Sequence, residues 1–354
     1  ANVVQRILTQ ADPEMRKQIN EILRYPEDSA GSIMTTEYVS LRPNMTVEEA
    51  ILRIRRTGID KETVYTCYVI DDQRRLVGQV SLRKLIIAPE SACIRDIMDT
   101  NIVSAATTDD QEAVADDFRR YDLTSIAVCD KEGRLVGIVT VDDVIDVMEE
   151  ETTEDFEIMA GMTPSDKPYS RTSTLEMWKN RIPWLMFLML SATFTSMILT
   201  KFEDMLAVQA GLVAFIPMLM GTGGNSGAQA STAVIRSLSL GDTEPKDAFR
   251  VMWKEWRVAA ICGITLAAVN FVKMLLLDGM LLHNDSVTIA VAATVSVSIV
   301  FIVMFAKVVG SMLPIIAEKV GVDPAVMANP LISTVTDAVS LLIYINVARL
   351  ILHI

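Results

Sequence analysis

Met218-Leu219-Met220-Gly221-Thr222-Gly223-Gly224-Asn225-Ser226-Gly227-Ala228-Gln229-Ala230-Ser231-Thr232 admits two incompatible readings. Its glycines suggest a dinucleotide-binding fingerprint, which requires a preceding strand and a βαβ context. An apolar run precedes it instead. The other reading is an intramembrane segment, where glycine and small hydroxyl residues let helices approach closely, or break a helix so that carbonyls line a cavity. Helix packing alone would explain the small residues. It would not explain Asn225 and Gln229, whose amides need partners away from water.

The flanking sequence favours the membrane. Ile182 to Thr200 is a nearly uncharged stretch of spanning length, and Leu206 to Met220 opens a second span that continues through the small polar segment. Val258 to Leu282, Val287 to Ile316 and Asn329 to Ile354 bring the expected number of spans to five. The loop after the second span carries Arg236, Lys246, Arg250, Lys254 and Arg257, whereas Lys201 to Asp204 and Asp278 to Ser286 are poor in Lys and Arg. The positive-inside rule therefore places the long loop, Lys179, Arg181 and Lys319 in the cytoplasm and the C-terminus outside, with Arg349 alone against it.

The fifth span contains Asp337 in Asn329-Pro330-Leu331-Ile332-Ser333-Thr334-Val335-Thr336-Asp337. A carboxylate there is costly and ordinarily faces a bundle interior or a watery path. The alternative is a structural role, with Lys273 or Lys307 of a neighbouring span neutralising it.

The remainder is of different character. Of 354 residues, those before about 178 are charged and mixed and carry most of the net charge of −13, which argues against nucleic acid as a partner and for cations. Cys67, Cys93, Cys129 and Cys262 have neither metal-ligand spacing nor the density of a disulfide framework, and read as small buried hydrophobes in a reducing compartment. His283 and His353, near expected membrane edges, give no zinc site. The chain opens at Ala1 with neither an initiator Met nor a secretory signal, as expected of a processed product or a fragment. Residues 1–31 read as the remnant of a helical domain, with apolar positions at helical spacing from Asn2 to Tyr25.

A repeat follows. Ser32-Ile33-Met34 is echoed by Asp96-Ile97-Met98, and Arg75-Leu76-Val77-Gly78 by Arg134-Leu135-Val136-Gly137. Each unit reads as an extended piece, an amphipathic helix, two β-rich runs about a turn and a closing helix, the last from Leu82 to Ile87 and from Asp142 to Glu151. This order resembles a tandem pair of CBS domains over residues 32–151, which implies a regulatory module rather than an enzyme. Gly137-Ile138-Val139-Thr140-Val141-Asp142-Asp143 is similar to the ribose-contacting signature of nucleotide-binding CBS domains, implying ATP or a relative at Thr140 and Asp143. The first unit departs from it, with Lys84 where the acid would stand, and an ordinary N-cap explains Thr140 and Asp143 equally.

From Asp142 the acids crowd: Asp142, Asp143, Asp146, Glu149, Glu150, Glu151, Glu154, Asp155 and Glu157. Helical spacing puts Asp143 with Asp146, and Asp146 with Glu150, on shared faces that repel unless neutralised. A solvated face is the ordinary meaning of such a run; a Mg²⁺ site, needing only one or two carboxylates with several waters, is the other. Glu112 and Asp122 bracket the helix of the second unit and could face the cluster. Residues 152–178, with Gly161, Pro164 and Pro168, form a connecting segment to the membrane part, 179–354.

CBS pair, acidic connector, five spans, the Gly-Thr-Gly-Gly-Asn-Ser-Gly-Ala-Gln segment and Asn329-Pro330 ahead of Asp337 together resemble the MgtE family of magnesium channels. That resemblance implies an α/β CBS pair followed by an all-α five-helix transmembrane domain, assembled as a homodimer in the cell membrane with its CBS domains cytoplasmic. It implies Mg²⁺ as substrate and regulator, with a pore site at Asp337, Asn329 and the Ser333 carbonyl. It implies gating by Mg²⁺ held at Glu112, Asp122, Asp143, Asp146, Glu151, Glu154 and Asp155, which closes the pore by screening acid repulsion. Secondary transport of a divalent cation coupled to Na⁺ or H⁺ is the alternative function, and an enzyme is not expected because no nucleophile–base pair is found.

Overall fold

The computed structural model describes residues 23–165, 167–203, 210–281 and 287–353. Most of the helical expectation for Asn2 to Tyr25 therefore lies outside the described residues, as does His283. The chain forms two compact units, Ala1–Thr152 and Thr153–Ile354.

The first is a sheet unit of two alike halves. In chain order it comprises α1 (Ala30–Ile33), β1 (Ser40–Leu41), α2 (Val47–Thr57), β2 (Thr66–Ile70), β3 (Leu76–Ser81), α3 (Leu82–Ile87) and α4 (Ile94–Ile97). There follow β4 (Ser104–Ala106), α5 (Gln111–Tyr121), β5 (Ser125–Cys129), β6 (Leu135–Thr140) and α6 (Val141–Met159). Each sheet has a parallel pair, with Ser40 opposite Tyr68 or Ser104 opposite Ala127, and an antiparallel hairpin, with Tyr68 opposite Gln79 or Ala127 opposite Ile138. Local chemistry sets the ends: the Thr46 side chain accepts from the Glu49 amide while Glu49 accepts from the Thr46 amide, a capping box that starts α2. Tyr68, Ile70, Ala127, Leu135 and Ile138 pack between the sheets, and the Tyr68 hydroxyl meets the Ser125 hydroxyl at 2.8 Å. Cys67 is buried in the first core, where burial pushes its thiol up to about 12.

The two echoed motifs meet in space. Met34 belongs to the core of the second half, and Ile94, Ile97 and Met98 to that of the first. Thr35 bridges to Ile138, and Gln79 to Asp99. A Cβ on Gly137 would lie 2.5 Å from the Met34 sulfur, and one on Gly78 2.6 Å from the Met98 sulfur. Each repeat thus opens on the sheet of the other, and the Gly of one unit is the seat for the Met that opens the other.

The helical unit contains α7 (Thr174–Lys201), α8 (Ile216–Ser239), α9 (Ala248–Lys273), α10 (Ile289–Lys319) and α11 (Asn329–Leu352). Among the described residues, four segments have the length and apolarity to cross a membrane: Thr174–Lys201, Pro245–Leu281, Ile289–Lys319 and Pro324–Leu352. At 24 residues α8 is long enough but too polar to qualify. The expected second span is shifted accordingly: a 3₁₀ turn, Ala210–Phe215, precedes a helix that begins at Ile216 and runs unbroken through all the glycines. Helical packing supplies what glycine's low propensity withholds. The core joins Leu212, Leu219, Val295, Ile299, Ile302, Leu341, Tyr344 and Ile345. No residue of α7 is buried, and Leu185, Met189, Leu190, Phe194 and Met197 are all exposed, an apolar surface suited to hydrocarbon.

Candidate ion path and acidic helix

The glycines of α8 bring three helices together. A Cβ on Gly223 would lie 2.6 Å from the Ser340 hydroxyl of α11 and 2.9 Å from Ile302 of α10; on Gly224 it would lie 3.3 Å from the Ser333 hydroxyl. On Gly227 it would meet Ile332 at 2.6 Å and the Ala306 carbonyl at 3.2 Å, and on Gly310 the Gly227 carbonyl oxygen at 2.3 Å. Only glycine allows such backbone-to-backbone approach. The Ser231 hydroxyl donates to the Met327 carbonyl at 3.0 Å, tying α8 to the 3₁₀ turn Pro324–Met327 before α11.

Asp337 stands beside this crossing. It is half-buried, and no described residue makes an ion pair or hydrogen bond with its carboxylate. Lys273 pairs with Asp278 at 2.9 Å, and among the described residues neither Lys273 nor Lys307 pairs with Asp337. Thr336, one residue earlier, donates its hydroxyl to the Ile332 and Ser333 carbonyls at 2.8 and 3.0 Å. The Ser333 carbonyl is thereby engaged within α11, while its hydroxyl lies against Gly224. Asn329 is the first residue of α11, and its side chain lies outside what the structure describes.

The acids are arranged differently. The closing helix expected to end at Glu151 continues to Met159, so α6 alone carries Asp143, Asp146, Glu151, Glu154 and Asp155. The Gln111 amide, at the start of α5, donates to Glu151 at 2.7 Å, which sets Glu112 in the same first turn near α6. Asp122 ends α5 in the left-handed region, φ 50°. Burial holds the Glu151 carboxyl above its ordinary value; the Gln111 hydrogen bond opposes this, and Asp110, Asp28 and Glu150 add to it. Sequence reasoning missed Asp28 and Asp110: Asp110 was readable as the N-cap of α5, but Asp28 reaches this corner only because the segment before the first repeat packs on the second. Among the described residues no three His, Cys, Asp or Glu converge as a metal-binding group. Mg²⁺, which keeps several waters, does not require such a group. The Thr140 hydroxyl donates to Asp143 at 3.0 Å, so the two residues expected to contact a nucleotide bond to each other.

Beyond α6 the chain is fastened to α7. Gly161, at φ +72°, lies under the Trp184 indole, where a Cβ would come within 2.2 Å of the ring, and the Thr163 amide donates to the Asn180 carbonyl at 2.9 Å.

Paired α/β units followed by helices of membrane-spanning length and apolarity, with a half-buried carboxylate among them, define the class of a membrane transport protein. Residues 216–347 match the model of the MgtE family of divalent cation transporters, and residues 30–91 and 94–150 match that of the CBS domain. The magnesium transporter MgtE of Thermus thermophilus is 43% identical over 99% of this chain and 76% of its own length; that of Enterococcus faecalis is 33% identical over 94% and 71%. The cytosolic domain of the Mg²⁺ channel MgtE, solved in complex with ATP, is 48% identical over 40% of this chain and 58% of that one, with a TM-score of 0.40. The chain belongs to the MgtE family. It is accordingly a transporter and not an enzyme.

Proposed function

We propose that the protein is a homodimeric Mg²⁺-selective channel with five spans per chain and a cytoplasmic CBS pair, closed by cytosolic Mg²⁺. The observation that carries this is Asp337: a half-buried carboxylate without a described partner, at a three-helix crossing made of small residues, in a family of divalent cation transporters. α8 counts as the fifth span because its neighbours bury Gly223, Gly224, Ser226, Gly227 and Ser231, while Asn225 and Gln229 stay exposed on its other side.

One carboxylate per chain suits a two-fold site. Two symmetry-related Asp337 side chains hold a hydrated ion through its waters, with Asn329 and the Ser333 oxygens as further acceptors. Binding through water selects for charge density and hydrated size while leaving the ion free to depart. On the cytosolic side, Mg²⁺ among Glu112, Asp122, Asp143, Asp146, Glu151, Glu154 and Asp155 screens their repulsion and favours the closed arrangement; loss of internal Mg²⁺ restores the repulsion and opens the path. The joint of Gly161 and Trp184 passes that change to α7. An adenine nucleotide such as ATP would use Thr140 and Asp143 once their mutual hydrogen bond opens.

Mg²⁺ flux into liposomes tests the reading. Asp337→Ala is expected to reduce uptake at least about tenfold while the protein remains folded; unchanged uptake removes Asp337 from the path. Neutralising Asp146 and Asp155 together is expected to leave flux in place but to raise the internal Mg²⁺ needed to close it.

A further inference from the structure

The helical unit contains a second intramembrane charge. Lys307 of α10 is 6% exposed, and no described residue forms an ion pair or hydrogen bond with it. Lys273, by contrast, is 2.9 Å from Asp278. A buried cation without a carboxylate is as costly as a buried acid and is retained in a span where it acts on something.

The packing fixes its depth. Gly227 faces Ala306 of α10 and Thr336 of α11, and Gly223 faces Ile302 of α10 and Ser340 of α11, so α10 and α11 run antiparallel through the same layers. Lys307 and Asp337 are the residues immediately after Ala306 and Thr336. At about 1.5 Å of rise per residue their backbones differ in depth by only roughly 3 Å. A cation and a carboxylate thus share one layer without pairing.

We propose that Lys307 is a specificity-determining residue for transport, whose ammonium weakens the hold of the Asp337 layer on a divalent ion so that the ion leaves. The proposal rests on Asp337 being the ion site. Coulomb energy scales with the product of charges, so a fixed ammonium repels a divalent cation twice as strongly as a monovalent one at the same place. Two carboxylates facing one divalent ion attract it strongly even through its waters, and a nearby positive charge shortens that residence.

The test is Mg²⁺ uptake by the full chain in liposomes, at graded external Mg²⁺, for Lys307→Met, Lys307→Gln and Lys307→Arg, with Asp337→Asn alongside. The neutral variants are expected to lower half-saturating Mg²⁺ by about fivefold or more and to reduce maximal flux, while Lys307→Arg keeps both values. Two neutral variants are used because either could fail to fold, which size-exclusion chromatography in detergent detects; a merely structural lysine would change yield and leave half-saturation alone. Half-saturation that is unchanged or higher in a folded neutral variant overturns the proposal. Full flux in Asp337→Asn would instead overturn the underlying ion site.

Discussion

The sheet unit and the helical unit both depend on glycines that leave room for a neighbour, and the neighbours differ in kind. Gly78 and Gly137 receive the flexible thioethers of Met98 and Met34, whereas Gly310 receives the backbone of Gly227. A methionine end can swing aside, since its side chain has three rotatable bonds and no fixed shape. A helix backbone can move only with its whole helix. The same substitution, Gly to Ala, should therefore cost less in the sheet unit than in the helical one.

The largest effect is expected at Gly310→Ala. The added methyl would overlap the Gly227 carbonyl oxygen, 2.3 Å away, and push α8 from α10, a cost of roughly 3 kcal/mol. Thermal unfolding and monodispersity in detergent would show it, and a variant as stable as the parent would break the contrast. Because the shift also opens the layer of Ala306 and Thr336, Mg²⁺ flux should fall in whatever protein survives.

A smaller loss is expected at Gly137→Ala, about 1–2 kcal/mol, because the methyl would meet the Thr35 carbonyl at 2.9 Å as well as the Met34 sulfur. Gly78→Ala should cost less, about 1 kcal/mol, since there the nearest backbone atom, the Asp99 carbonyl oxygen, is 3.3 Å away. Hydrogen exchange of the β3 and β6 amides in the full chain would rank the two. A double-mutant cycle of Gly78→Ala with Met98→Ala should show coupling, because the two side chains claim one space; additivity would mean that Met98 does not yield.

That Met–Gly contact also marks how far sequence reasoning reached. The echoes of Ile-Met and Leu-Val-Gly were legible as a repeat, because self-similarity is a property of the chain alone. Their meeting across the repeats was not, because periodicity says which face is apolar and never whose face covers it. Asp337 was legible, since a carboxylate in a 24-residue apolar helix stands out against its surroundings. The burial of Lys307 was not: a lysine within an apolar run reads the same whether it reaches water or is enclosed. The continuity of α8 was obscured by its composition, for glycine carries opposite meanings in an isolated helix and at a tight helix crossing.

The smallest expected effect returns to the sheet unit. Glu151 has its carboxyl held above its ordinary value, chiefly by burial, and such a group contributes stability that is fully present below the unfolded carboxylate range and is lost as pH rises through its folded value. At neutral pH the charged form is therefore a small liability. Glu151→Gln keeps an oxygen to accept the Gln111 amide and removes that liability. Exchange protection of the β5 amides in the full chain should be slightly higher in the variant than in the parent at pH 7, and the difference should vanish as pH falls into the ordinary carboxylate range. Millimolar Mg²⁺ should narrow it at pH 7, because a cation near Glu151, Asp110 and Asp28 does for the parent what the amide does for the variant. If Mg²⁺ protects parent and variant equally, Glu151 is no part of the proposed Mg²⁺ site, and the proposed gating would rest on the acids further along α6.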